Sequence, residues 1–312
     1  MNPDPAVNKK PRRKGAACAP ERPFWRVRDI VQLALAEDIG AGDVTSAAFA
    51  RRGTARAVVL AKAAGILSGI EILQCVFRTL SRRARVCPLK NDGDSFAPGE
   101  HLAEVEAPLE VLFTGERVAL NFLQRMSGVA TLTRKFVDLL GPQTRVAVCD
   151  TRKTTPLLRT LERMAVAHGG GVNHRFGLDD MAMLKNNHID AAGGVAAAVE
   201  ALRRSGFFDR KPRLPLCIEA RTSDEACEAL TFKPDIIMLD NMSPQTIRAT
   251  VATLAREAAT LGTRVPLIEV SGNITLKNIA RYRRLPIDRI SIGALTHSAP
   301  AMDISMRIHG LK

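Results

Sequence analysis

The second half of the chain places the tightest limits on the fold. From residue 145 onward, six short apolar runs each lead into a polar or glycine position. RVAVC leads to Asp150, Arg152 and Lys153. MAML ends at Lys185, LPLCI at Glu219, DIIML at Asp240, PLIEV at Ser271-Gly272 and RISI at Gly293. Runs of this length suit buried strands. Helix-like stretches lie between them, over 156–167, 191–204, 223–231, 244–260 and 275–284. A repeat of strand and helix, about 20–30 residues per unit, predicts a parallel sheet with helical crossovers. Reactive side chains at the C-terminal ends of successive strands fit a TIM-type barrel or a doubly wound open sheet. The regular spacing and the use of all six ends favour the barrel. Six strands fall short of eight, so an incomplete barrel is expected.

The first 130 or so residues have another texture. FWRVRDIVQLALAEDI, residues 24–39, carries apolar residues at helical spacing, and GAGDVTS breaks it, with Asp43, Thr45 and Ser46 as turn or capping residues. ARAVVLAKAAGILSG reads as strand, turn and strand, and IEILQCVFRTLS as an amphipathic helix. RARVCPLK and HLAEVEAP read as strands joined through Asp92-Gly93 and Pro98-Gly99. EVLFTGERVALNFLQRMSGVATLTRKFVDLLG predicts two helical stretches. This half is a mixture of strands and helices without a βα repeat.

With 312 residues, 46% apolar and 25% charged, the chain suits one large or two medium globular domains. The net charge is +13. Residues 1–23 hold six Lys and Arg against Asp4 and Glu21, a net of +4, with several prolines and no apolar periodicity. They are read as a disordered basic tail. The remaining positive charge suits nucleic acid or small polyanions. Trp25 and Tyr282 are the only residues of their types, so a stacking platform for single strands is poorly supplied and nucleic acid is disfavoured. None of the six cysteines forms a C-x-x-C pair, which argues against a zinc site and a disulfide framework and fits a reducing cytosol. No apolar run approaches 18 residues and the N-terminus lacks a signal-peptide core. A cytoplasmic enzyme is expected.

Its chemistry concentrates in residues 145–188. Arg152, Lys153, Arg175 and Lys185 cluster near two strand ends and the turn Gly169-Gly170-Gly171. Isolated surface cations are usually just solvated. Their recurrence beside three glycines instead predicts an anion site approached by backbone. Glu219 and Asp240 fall on neighbouring strands, as salt-bridge partners of those cations or as holders of a hard cation such as Mg²⁺ and of sugar hydroxyls. Ser271-Gly272 and Gly293-Ala294 fall late in the repeat, where barrels commonly bind phosphate, with Thr275 as a helix cap. His174, beside Arg175, is a pocket candidate; His168 reads as a helix C-terminal residue. No nucleophile–base pairing and no dinucleotide fingerprint is present. The residues thus predict a pocket for an anionic, phosphorylated, sugar-containing substrate with Mg²⁺, and leave the reaction open.

Seven ordered motifs carry a resemblance: EDIGAGDVTS, GERVALNFLQRMSGVAT, DTRKTTP, AVAHGGGVNHRFGLDDMAMLKNNHI, MLDN, SGNIT and IGALTHSAPAMDISM. Together they resemble the quinolinate phosphoribosyltransferases, the decarboxylating nicotinate-nucleotide pyrophosphorylases of de novo NAD synthesis. The resemblance covers most of residues 24–310. It implies an α/β sandwich domain over 24–129 joined by 297–312, and an incomplete α/β barrel over 130–296 with the site at the strand C-terminal ends. It implies phosphoribosyl transfer from phosphoribosyl pyrophosphate to quinolinate, giving nicotinate mononucleotide, CO₂ and pyrophosphate, with Mg²⁺. It also implies a homodimer or hexamer. Arg152, Lys153, His174, Arg175 and Lys185 correspond to the quinolinate cluster, and Arg117 to an arginine entering the partner's site. Glu219 and Asp240 resemble the carboxylates near ribose and Mg²⁺-pyrophosphate, directly or through water. Ser271, Gly272 and Asn273, with Gly293, Ala294 and Leu295, resemble the phosphate loops. Lys153, Lys185, Glu219 and Asp240 are the expected catalytic residues. Three positions depart from the family pattern: Asn273 where a second glycine is usual, Asn186 where Asp is common, and Leu157 where Gly is common.

Overall fold

The structure, a computed structural model, describes residues 26–49, 53–210 and 214–311; the basic tail over 1–23 and Trp25 lie outside them. The first half runs α1 (Val27–Ile39), β1 (Thr54–Ala61), β2 (Gly65–Ile66), α2 (Ile70–Leu80), β3 (Arg85–Pro88), β4 (Ser95–Phe96), β5 (His101–Pro108) and α3 (Leu109–Leu140). The second runs β6 (Ala147–Cys149), α4 (Arg159–His168), β7 (Ala182–Leu184), α5 (Asn186–Ala192), α6 (Val195–Arg204), α7 (Phe207–Arg210), β8 (Leu216–Ala220) and α8 (Ser223–Thr231). It continues with β9 (Ile236–Asp240), α9 (Pro244–Thr260), β10 (Leu267–Ser271), β11 (Arg289–Ser291), α10 (Ala294–His297) and β12 (Ile304–Leu311).

Two principal sheets result. The antiparallel one has the order β12-β1-β5-β3. Ala55, Ala57, Val59 and Ala61 of β1 alternate into the core, the period-two pattern of a strand with one covered face. The cover comes from α2, whose Ile70, Leu73 and Phe77 form one buried stripe, and from α3. The last strand, β12, returns from the far end of the chain to pair with β1, Val58 opposite Arg307. The second sheet is wholly parallel, ordered β6-β11-β10-β9-β8-β7. From β7 to β11 neighbours in the sheet are neighbours in the chain, and β6, the first strand, pairs with β11, the last, as when a barrel closes; the seam lies between β6 and β7. Val172 bridges to Cys149 in parallel on the outer side of β6 and supplies a short extra stave towards β7. The barrel is therefore incomplete, and the six apolar runs are its six strands.

The helices differ in places from the spacing. Residues 109–140 form one helix of 32 residues, not two. Its internal glycines are required by contacts rather than by a break. A Cβ at Gly128 would overlap the carbonyl oxygen of Pro300, and one at Gly115 would lie 2.9 Å from Phe77. Residues 191–204 are split between α5 and α6 at Gly193 and Gly194, both with positive φ. Pro156 lies outside α4, and 275–284 contains only a short 3₁₀ turn, Ile279–Tyr282. Asn278 accepts the Thr275 N–H there. The helices α8 and α9 span the predicted residues, each opened by a hydroxyl that accepts an N–H: Thr222 from Glu225 and Ser243 from Thr246, with Pro244 at the first helical position.

Candidate functional site

In parallel register, residues side by side on adjacent strands point the same way. Glu269 aligns with Arg289, and Ser271 with Ser291 and Asp240. These side chains share the inner face of the barrel, while Ile268, Val270 and Ile290 join the large outer core. Met181, Cys217, Ile236 and Met238 form a separate small apolar cluster within the barrel. Above this interior, at the strand C-terminal ends, opens a cavity of about 620 Å³.

One wall is cationic. Asp150 follows β6, is fully buried, and accepts the backbone N–H of His174 at 2.6 Å. This carboxylate fastens the loop 173–176 to the strand end. From α4, Arg163 donates to the carbonyl of His174 at 2.6 Å and Arg159 to that of Phe176 at 2.9 Å. Both guanidinium groups also lie over the Phe176 ring, 5.3 and 5.7 Å from its centre. The loop so held presents Arg175, whose Nη1 donates to Met181 O at 2.9 Å. Burial, and then the like charge of Arg152, push the Arg175 pKa down. Arg152 in turn has a buried Nε with no partner among the described residues. Two guanidinium groups lining one cavity, one of them with a buried donor to spare, suit an anion between them. Lys153 and Lys185 complete this wall.

The strand ends of β8 and β9 are acidic. The Nδ2 of Asn186 reaches Glu219 Oε1 at 3.5 Å and Asp240 Oδ2 at 3.3 Å, and its N–H donates to Glu219 Oε2 at 3.3 Å. Asn241 donates to Asp240 Oδ2 at 2.9 Å and accepts from Asn273 Nδ2 at 3.0 Å. Burial, and then the neighbouring Asp240, raise the Glu219 pKa. The hydrogen-bond partners of this pair are amides, not the four cations, so both carboxylates keep oxygens for a ligand. Asn273 has φ +53°, which Asn tolerates better than most residues, and Gly272 has φ +101°. The Gly272 position is closed to any side chain: an added Cβ would overlap Oδ1 of Asn241 and lie 2.6 Å from its Cγ.

Arg152, Lys153, His174, Arg175, Lys185, Glu219, Asp240, Ser271, Gly272, Asn273, Gly293 and Ala294 all line this one cavity. Two expected site residues do not. Leu295 is fully buried and packs in the core, because the short helix α10 turns its side chain inward. Arg117 lies on an exposed face of α3, away from the cavity. The glycine triplet also has a different role from the one its position suggested. A Cβ at Gly169 would overlap the carbonyl of Ala130 and lie 2.6 Å from Thr133 Cβ; one at Gly171 would lie 2.9 Å from Thr133 Cγ2. These glycines bring the chain against α3, not against a ligand. His168 ends α4 and shares a 2.8 Å hydrogen bond with Ser68. Leu157 is held at φ +67° with its side chain 58% exposed, a backbone conformation that favours glycine. Cys149 and Cys217 are buried, and burial pushes the Cys149 thiol up to about 12, so neither is a nucleophile.

The cavity also holds residues that spacing did not single out: Thr151, Met183, Met238, Asn241, Ile274, Ser291, Ile292 and His297. Buried acids beneath it were equally hidden. Glu162 takes Arg125 at 2.7 Å and the Thr155 hydroxyl at 2.8 Å; Arg125 also donates to the carbonyls of Ala299 and Thr296, tying α3 and α4 to the end of the chain. The available signal was a charge inside an apolar strand, Glu269 in PLIEV, two residues before a predicted site serine and so on the same face.

Among the described residues, no cluster of three or more His, Cys, Asp or Glu forms a ready-made metal cage. Glu219 and Asp240 still suit Mg²⁺, which is commonly held by one or two carboxylates together with substrate phosphates and water. No helix among the described residues is long and apolar enough to cross a membrane.

Comparison with known proteins adds to this geometry. The family model "Quinolinate phosphoribosyl transferase, N-terminal domain" matches residues 43–127, and that of the C-terminal domain matches 129–307. The chain is 39% identical over 272 residues to a probable nicotinate-nucleotide pyrophosphorylase [carboxylating] of Bacillus subtilis (strain 168), covering 87% of this chain and 90% of that protein. It is 38% identical over 298 residues to quinolinate phosphoribosyltransferase [decarboxylating] 2, mitochondrial, of Nicotiana glauca, covering 93% and 84%. The solved structure of NadC from Streptococcus pyogenes superposes with a TM-score of 0.83 at 40% identity, covering 92% of this chain and 98% of that one.

Proposed function

Because the chain belongs to the quinolinate phosphoribosyltransferase family, we propose that it joins quinolinate to the ribose of phosphoribosyl pyrophosphate and releases pyrophosphate and CO₂, giving nicotinate mononucleotide. The observation that carries this reading is the gathering of four cations and two carboxylates around one cavity. The Arg152 and Arg175 guanidinium groups, with Lys153 and Lys185, match a pyridine dicarboxylate. The amide-held pair Glu219 and Asp240 matches a sugar whose anomeric carbon becomes positive. The turns Ser271–Asn273 and Gly293–Leu295 are the phosphate seats in this reading, Leu295 through its backbone alone.

The bond changes fit the walls. The pyridine nitrogen attacks the anomeric carbon as the bond to pyrophosphate breaks. Positive charge grows on the ribose ring in that transition state, and carboxylates fixed beforehand stabilise it without having to reorganise. The cationic wall and the phosphate turns hold the departing pyrophosphate. Mg²⁺, held by Glu219 and Asp240 directly or through water, would neutralise the leaving charge. Once alkylated, the ring nitrogen is cationic and stabilises the electron pair left on the adjacent ring carbon when its carboxylate departs as CO₂, and that carbon then takes up a proton from solvent. That step needs a fixed ring and exclusion of water more than it needs a base. Arg152 and Arg175 supply the fixing. In this reading the enzyme works in the cytoplasm as a homodimer or a multiple of dimers, and Arg117, exposed on α3, reaches the partner's cavity.

The test is formation of nicotinate mononucleotide from quinolinate and phosphoribosyl pyrophosphate by the purified protein, with and without Mg²⁺, beside nicotinate as the competing acceptor. Turnover of quinolinate with release of CO₂ is expected. Use of nicotinate alone overturns the proposal in favour of a related phosphoribosyl transfer without decarboxylation.

A further inference from the structure

Beneath the cavity floor lies an ion pair, Glu269 and Arg289, that forms no part of the cavity lining. Glu269 is fully buried in β10, where a lone carboxylate would be strongly disfavoured. Four donors converge on it. Arg289 gives Nη2 at 2.5 Å and Nε at 2.6 Å, a two-pronged grip from the adjacent strand. Ser291 gives its hydroxyl, and His174 gives Nε2 at 3.2 Å. Two of these partners, Ser291 and His174, themselves line the cavity.

The second nitrogen of His174 decides what this means. Nδ1 accepts the backbone N–H of Arg175 at 2.7 Å, so it carries no proton. The ring is then the neutral tautomer with hydrogen on Nε2, and that hydrogen points at Glu269. The orientation of the imidazole is therefore set from below, and the Arg175 backbone is set by the imidazole. Arg289 balances the charge of Glu269, so the pair is neutral overall. Arg175 adjoins Arg152, whose Nε has no partner among the described residues. The chain of contacts runs from Glu269 through His174 to the pair of guanidinium groups facing the cavity.

We infer that Glu269 and Arg289 are positioning residues for the dicarboxylate site: they fix the tautomer and tilt of His174 and through it the placement of Arg175. The inference rests on the function proposed above for its substrate but not for its proton arrangement. The pair acts on the acceptor side. The amide-held carboxylates, Glu219 and Asp240, belong to a separate set of contacts through Asn186 and Asn241.

The experiment has two readouts. In ¹⁵N-histidine-labelled wild-type protein, the His174 signals, identified by their loss in His174→Asn, should show hydrogen on Nε2 and a bare Nδ1. The double variant Glu269→Gln/Arg289→Met removes both charges together and avoids a stranded buried cation. In it the single-tautomer pattern should be lost. The KM for quinolinate should rise about tenfold or more, the equivalent of one hydrogen bond to a charged group, with the KM for phosphoribosyl pyrophosphate nearly unchanged. Arg289→Lys, which keeps the charge but not the two-pronged grip, should fall between. A wild-type ring protonated on Nδ1 overturns the inference whether or not the variant folds. So does a folded variant with wild-type KM for quinolinate, or one in which both KM values rise together. Failure of the wild type to use quinolinate would defeat the proposed function and leave the tautomer result standing.

Discussion

Gly272→Ala is the most informative single change at the turn proposed as a phosphate seat. Gly272 has φ +101°, well outside the region that an alanine adopts easily. Holding a non-glycine residue there costs of order 1–3 kcal/mol. The added methyl also meets Asn241: its Cβ would lie 2.6 Å from Cγ, about 0.8 Å inside ordinary contact at 3.4 Å, and 3.0 Å from the backbone nitrogen. Asn241 cannot retreat freely. Its backbone N–H is bonded to Ser271 O at 2.9 Å, its Nδ2 to Asp240 at 2.9 Å, and its Oδ1 accepts from Asn273 at 3.0 Å. A shift approaching 1 Å breaks one or both side-chain bonds, releasing Asp240 and the Asn273 turn together. Misplacement on that scale commonly lowers turnover about 100-fold. Steady-state kinetics on both substrates, with a urea titration to confirm folding, should show kcat/KM down by about two orders of magnitude, with phosphoribosyl pyrophosphate affected most. A folded variant within about twofold of wild type would refute the reasoning, because the glycine could then be replaced without moving Asn241.

Other consequences are equally open to test. Arg152→Ala and Lys185→Ala should each lower quinolinate turnover at least about 100-fold while circular dichroism and the urea midpoint stay near wild type; normal activity in either would remove it from the anion wall. Arg117→Ala mixed with Arg152→Ala should recover up to about a quarter of wild-type activity through hybrid sites in a symmetric dimer, and no recovery despite demonstrated subunit exchange would refute a shared site. Chelation of divalent cations should abolish turnover and added Mg²⁺ restore it. Gly169→Ala should destabilise the protein by about 1–3 kcal/mol through overpacking against α3, read by urea unfolding, with KM values unaffected; a change confined to KM would return the triplet to the ligand.

Much of the architecture was legible because the relevant forces are local. Each barrel strand is a short apolar run, buried on both faces, that stops where the side chains turn polar, and that pattern survives in one dimension. Those stopping points put twelve of the fourteen expected residues into one cavity. The two outside it show what spacing cannot carry. Leu295 lies next to a true lining residue, Ala294, yet its side chain points into the core, and only the turn of α10 decides that. Arg117 lies on an exposed face of α3, outside the cavity, and its spacing does not tell which way it faces.

The rest was decided by contacts between distant segments. Gly128 lies within the stretch that predicts two helices, but in the single helix α3 it is the place where the returning chain at Pro300 crosses. Gly169 and Gly171 read as a ligand cradle, but they are the place where the chain passes the same helix. Sequence marks such glycines without saying what approaches them, because a missing Cβ looks the same whether the neighbour is a phosphate or a carbonyl. Likewise Glu269, one acid inside an apolar strand, acquires a partner only when β11 places Arg289 beside it and the 173–176 loop brings down His174. By itself, then, the sequence determined the strands, the order of their ends and the signs of the charges there, since burial and patterning act along the chain. The tertiary structure alone decided which charges face one another, which are neutralised underneath, and which glycines serve packing, since each of these depends on atoms brought together from different elements, from Glu269 and Arg289 on adjacent strands to Gly128 and Pro300 on segments far apart in the chain.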